Sequence, residues 1–92
     1  MSNESTKIYL GVDWGEKRIG LALADGETKM ATPFKTVENV DELAESVISE
    51  KIDVVVVGKP VSISNSQFSI SKQFDNFFNE LKSRISVPIE LV

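Results

Sequence analysis

Tyr9-Leu10-Gly11-Val12-Asp13-Trp14-Gly15-Glu16-Lys17-Arg18-Ile19-Gly20-Leu21-Ala22-Leu23-Ala24-Asp25 reads as a strand, a tight turn and a second strand. Ile8, Leu10 and Val12 alternate with Tyr9, Gly11 and Asp13, the period of two expected of a half-buried strand. Ile19, Leu21 and Leu23 then alternate with the small residues Gly20, Ala22 and Ala24. Trp14 to Lys17 is short enough for a hairpin loop, and Gly15 offers the backbone freedom such turns often use. Asp13 sits where the first strand ends, and two readings fit it. It opens an Asx-type turn, with Gly15 serving only the hairpin. Or it holds a metal ion, or a phosphate-bound metal, over a sheet surface lowered by the small residues of the second strand.

Outward from this hairpin, residues 1–6 read as a frayed leader. The first strand runs from Lys7 to Asp13 and the second from Arg18 to Asp25. Gly26-Glu27-Thr28 is a turn signal. Met30 to Val37 follows as a third, weaker strand, and Pro33 inside it predicts an edge position. The first half is therefore a three-stranded antiparallel meander.

The period then changes. Val40, Leu43, Ala44, Val47 and Ile48 fall at spacings of three and four, one apolar stripe of a helix. Asn39 is the expected N-cap and Glu42 its capping-box partner. Asp41 and Glu42 in the first turn, and Lys51 near the end, suit the helix dipole. Asp53-Val54-Val55-Val56-Val57-Gly58 does not alternate, which predicts a central parallel strand buried on both faces. Val61 to Ser71, with five serines, reads as a loop running into a helix, flexible or facing a phosphate. Phe74, Phe77, Phe78, Leu81 and Ile85 form a second helical stripe, read as core rather than as a binding platform. Val87 to Val92 begins a last strand.

The predicted order is β-β-β-α-β-α-β, an α/β mixed sheet whose antiparallel meander is followed by parallel crossovers. Ligands gather at the carboxyl ends of parallel strands in such sheets. If the first strand lies parallel beside Val54 to Gly58, Asp13 and the Gly58-Lys59-Pro60 loop meet at one end. Lys17, Arg18 and Lys59 then form a basic rim around an acidic centre, which suits a phosphodiester. Each of these cations is also an ordinary solvated surface residue.

Composition removes whole classes of chemistry. The 92 residues make one small domain, with 41% hydrophobic and 26% charged residues. The chain has no cysteine and no histidine, which excludes disulfides, thiolate or histidine-ligated zinc and histidine general bases. A catalytic metal would need oxygen ligands, as magnesium or manganese prefers. The net charge of −4 argues against coating nucleic acid through a global basic surface and leaves local contacts open. No apolar run approaches a membrane span and the polar start is unlike a signal peptide, so a cytoplasmic protein is expected.

Leu10-Gly11-Val12-Asp13-Trp14-Gly15-Glu16-Lys17-Arg18-Ile19-Gly20-Leu21-Ala22 resembles the opening motif of the YqgF (RuvX) family, which has a ribonuclease H-like fold. Ala31-Thr32-Pro33 and Val56-Val57-Gly58-Lys59-Pro60-Val61 resemble later segments of the same family, in register from residue 7 to residue 92. The resemblance implies a bacterial cytoplasmic nuclease, described as a Holliday junction resolvase or as acting in maturation of the small-subunit ribosomal RNA precursor. It implies a carboxylate cluster holding Mg2+ or Mn2+, which activates water and stabilises the leaving oxygen. Asp13 matches the first-strand carboxylate, as catalytic residue and metal ligand. Gly15, Lys17 and Arg18 match the loop after it, and with Lys59 they are the expected contacts to RNA or branched DNA.

Family members continue past the last strand with an Asp-Glu-Arg-type motif, a helix and a further carboxylate. Two acidic ligands are therefore expected to be missing from this chain, with Glu90 a solvated side chain. An exposed last strand is expected, through which copies associate. Two alternatives follow. One is a non-catalytic nucleic-acid- or protein-binding module of the same fold. The other is an actin-like ATPase relative, in which Asp13 coordinates magnesium-nucleotide.

Overall fold

The alternating and β-branched segments form five strands and the two apolar stripes form two helices. In the computed structural model, which describes residues 7–26, 30–58 and 67–92, the elements are β1 (Ile8–Trp14), β2 (Ile19–Asp25), β3 (Thr32–Val37), α1 (Val40–Ser49), β4 (Val54–Gly58), α2 (Gln67–Arg84) and β5 (Ile89–Leu91). The expected order holds. The sheet runs β3-β2-β1-β4-β5, with β1 antiparallel to β2 and parallel to β4. Among the described residues no helix is long and apolar enough to cross a membrane.

β1 and β4 are pinned where they start. The Ile8 amide donates to Asp53 Oδ2 at 2.8 Å, and the Asp53 amide donates back to the Ile8 carbonyl at 2.8 Å. This reciprocal pair fixes the register in which Leu10 meets Val55 and Asp13 meets Gly58. Leu10, Val55, Val57, Leu43 and Leu81 are fully buried between sheet and helices, each stabilising the fold by about 1.5–3 kcal/mol. The phenylalanine row is core. Phe74 and Phe77 are buried, and Phe78 and Ile85 pack half-buried against the core.

The helix termini use local chemistry. Asn39 Oδ1 accepts from the Glu42 amide at 2.9 Å, as expected of the N-cap. The Glu42 carboxylate, however, accepts from the Glu38 amide rather than from Asn39 itself, so the box closes one residue earlier. At the other end Lys51 stands at φ 55. Its amide donates to Ile48 and that of Ile52 to Val47, the Schellman pattern that glycine usually serves. Arg84 near the end of α2 pairs with Asp41 in the first turn of α1 and with Glu80 on its own helix, tying the helices together.

Two expectations require correction. Ile48 is not part of the buried stripe: it is 77% exposed, whereas Ser46 is fully buried. At about 100° per residue, the buried residues Val40, Leu43, Ser46 and Val47 fall within an arc of roughly 120°, and Ile48 lies roughly 140° from its middle. The Ser46 hydroxyl donates to the Glu42 carbonyl at 3.2 Å, so it is buried without an unmet bond. Second, β4 is not closed on both faces. Val54, Val55 and Val57 are buried but Val56 is half-buried and lines a cleft.

Relief of the left-handed backbone gives a test. Lys51→Gly should raise stability by about 0.5–1 kcal/mol, read as a higher urea midpoint with an unchanged slope.

Candidate functional site

Period-two alternation gives the sheet two unlike faces. Leu10 and Val12 of β1, with Ile19 and Leu21 of β2 and Val55 and Val57 of β4, join the core beneath the helices. Gly11 and Asp13 project to the other face, where their register partners are Ala22 and Gly20 on β2 and Val56 and Gly58 on β4. These residues line an open cleft of about 840 Å³.

Asp13 stands at the carboxyl end of β1 and is exposed. Among the described residues no side chain or amide bonds its carboxylate. Glycines flank it on the neighbouring strands. A Cβ on Gly20 would lie 3.7 Å from the Asp13 Cβ, and one on Gly58 would lie 3.8 Å from the Val12 carbonyl, both ordinary contacts. Neither glycine has positive φ. Their lack of side chains leaves the carboxylate open from both sides and answers no backbone demand. Trp14, the next residue, turns to the opposite face. Its ring meets Phe74 edge-on at 5.7 Å and Phe77 at 6.2 Å, anchoring the strand end that carries Asp13.

The loop after Trp14 closes through the Gly15 amide, which donates to the Arg18 carbonyl at 2.9 Å. Gly15 is needed for a reason other than the one expected. Its φ is not positive, but a Cβ there would sit 2.9 Å from the Arg18 carbonyl, closer than real side chains come. Lys17 and Arg18 are exposed in this loop, at the Asp13 end of the sheet. Gly58, opposite Asp13, is brought there as expected, whereas Lys59 lies outside the described residues. No group of three or more acidic, histidine or cysteine side chains able to hold a metal exists among the described residues. A preformed metal cage does not fit them; Asp13 offers one ligand position.

Sequence reasoning placed β3 at the sheet edge, where it lies, but missed its contribution to the cleft. Pro33, Lys35 and Thr36 line the cleft. The ladder pairs Ala22 with Pro33 but Leu21 with Lys35, so Phe34 is an extra residue, a β-bulge. Pro33, which has no amide hydrogen to donate, was the available signal: it marks a bulge as readily as an edge.

Comparison with known proteins places this geometry in context. The sequence model of the RuvX family, described as Holliday junction resolvase, matches residues 7–92. A protein of Maridesulfovibrio salexigens named "Putative pre-16S rRNA nuclease" is 35% identical over 89 residues, covering 90% of this chain and 66% of its own. One of the same name from Oleidesulfovibrio alaskensis is 37% identical over 90 residues, covering 91% and 62%. The chain spans about three fifths of the length of the curated relatives it matches. Among solved structures, T. thermophilus RuvC in complex with a Holliday junction substrate superposes with TM-score 0.68 at 12% identity, covering 94% of this chain and 64% of that one. Fowlpox virus resolvase with Holliday junction DNA gives 0.52 at 15% identity, covering 92% and 59%. These two likenesses are of fold, and they agree with the ribonuclease H-like α/β arrangement expected from the sequence.

The loop geometry yields a prediction. Gly15→Ala should destabilise the protein by about 1–3 kcal/mol through overpacking against the Arg18 carbonyl, measured by urea denaturation.

Proposed function

The chain belongs to the RuvX family, and from that premise we propose that it carries part of the site of a metal-dependent nuclease acting on structured nucleic acid, a ribosomal RNA precursor or a branched DNA. One observation carries the reading. Within the matched segment an exposed carboxylate, Asp13, which has no bonding partner among the described residues, lines an open cleft, and the exposed cations Lys17 and Arg18 follow it in the next loop. The cations attract the phosphodiester backbone locally despite a net charge of −4. Gly20 and Gly58 let that backbone approach the carboxylate, and Gly15 holds the loop that presents Lys17 and Arg18. In this reading Lys59, which follows Gly58 in the sequence, is a further contact to the substrate.

Asp13 is the proposed catalytic carboxylate and metal ligand. Mg2+ keeps several waters and takes one or two carboxylates plus substrate phosphates, and Mn2+ suits the same oxygen donors. A single carboxylate thus suits an ion held mainly by water and the phosphodiester, with any further carboxylates coming from outside the described residues. When bound, such an ion polarises the phosphoryl group and lowers the pKa of a bound water. The same scarcity of carboxylates supports a second reading, a binding module without turnover.

A cleavage assay decides between them, using a ribosomal RNA precursor fragment and a four-way DNA junction, with magnesium or manganese. Cleavage by the wild-type chain that falls at least about a hundredfold in Asp13→Asn supports the nuclease reading, given that loss of even an indirect metal contact costs 10–100-fold. Cleavage that survives the substitution removes Asp13 from the chemistry. Binding without cleavage by either protein supports the module. Absence of both binding and cleavage defeats both readings.

A further inference from the structure

We propose that Thr36 is a substrate-contacting residue, whose hydroxyl donates to a phosphate oxygen of a nucleic-acid backbone lying across Gly20 beside Asp13. The inference rests on the nucleic-acid reading above and adds a contact on the side of the cleft away from β4. The register supplies the geometry. Asp13 pairs with Gly20, and Gly20 pairs with Thr36, so the three form one row on the open face. Two strand spacings separate Asp13 from Thr36, about 10 Å, and Gly20 puts no side chain between them. All three residues line the cleft. Thr36 is exposed, and among the described residues its hydroxyl has no partner.

The bulge decides which residue occupies this position. From Leu23 opposite Thr32 and Ala22 opposite Pro33, an unbroken ladder would bring Lys35 opposite Gly20. With Phe34 extra, Lys35 moves opposite Leu21 and Thr36 takes the place beside Gly20. One inserted residue thus exchanges a cation for a neutral hydroxyl on the Asp13 row. The exchange has a chemical consequence. An ammonium facing the carboxylate across an empty glycine position would be drawn into an ion pair with it. A hydroxyl makes no such claim on Asp13, yet still donates to a phosphate. Thr36 binds the phosphodiester without adding to the charge that Lys17 and Arg18 supply.

That neutrality gives the test. Binding of a labelled single-stranded RNA and of a labelled four-way DNA junction is followed by anisotropy across a salt series. The proteins are wild type, Thr36→Val, Thr36→Ser, Thr32→Val and Lys17→Ala. Thr36→Val keeps the β-branched shape, so a purely structural threonine predicts unchanged binding. The expected result is a loss of about three- to tenfold for whichever probe is bound, the scale of one hydrogen bond, with the wild-type salt slope retained. Thr36→Ser restores binding and Thr32→Val matches wild type. Lys17→Ala instead lowers the slope by about 0.7–0.9. Wild-type affinity in Thr36→Val overturns the role of Thr36 and leaves the nucleic-acid reading standing. Equal losses in Thr36→Val and Thr32→Val, or no restoration by serine, also overturn it. Failure of the wild-type protein to bind either probe overturns the nucleic-acid reading, and the Thr36 contact with it.

Discussion

The double pairing of β1 is the constraint on which the other features depend. The strand has β2 on one side and β4 on the other, so every residue along it has its facing direction fixed twice. The reciprocal bonds between Ile8 and Asp53 set this register at the point where the strand starts. A slip of one residue would send Leu10 and Val12 to the open face and bury Asp13 beneath the helices. Desolvating an unpaired carboxylate is costly, so the arrangement that fills the core is the one that exposes the acid. Stability and the candidate chemistry are therefore determined by the same ladder.

Residues whose role follows from nearest neighbours and periodicity were legible in the sequence. Alternation in β1 and β2 gave the hairpin and the direction of Asp13. The valine run gave the parallel partner, and the spacing of Phe74, Phe77 and Leu81 gave the buried face of the second helix. Residues whose role depends on which way an element is rotated were not legible. Ile48 and Ser46 illustrate this, because an apolar count cannot say where a stripe is centred once the helix docks. The bulge at Phe34 was hidden for a related reason: it exists only in the relation of β3 to β2. Gly15 was read correctly as a turn residue, but the reason was steric rather than conformational, which only the position of the Arg18 carbonyl reveals.

The candidate site divides along the same line. The carboxylate and the adjoining cations lie within six residues of one another and were apparent from the motif. Thr36 reaches the same row across two strands and through an irregular register. Net charge says little about a local site: a protein carrying −4 overall still exposes Lys17 and Arg18 in the loop that follows Asp13. What matters for a phosphodiester is the field at the contact, which falls off over about a Debye length, roughly 8–10 Å in physiological salt.

Trp14 has a further use. It is the single tryptophan of the chain and the immediate neighbour of Asp13, yet its ring lies among Phe74 and Phe77 on the far side of the sheet. The indole is thus joined to the cleft through one peptide unit while remaining shielded from whatever occupies that cleft. Its ultraviolet emission is an intrinsic optical gauge of the helix layer. A change in that emission on adding nucleic acid signals movement of the strand end itself, separate from direct quenching by a base.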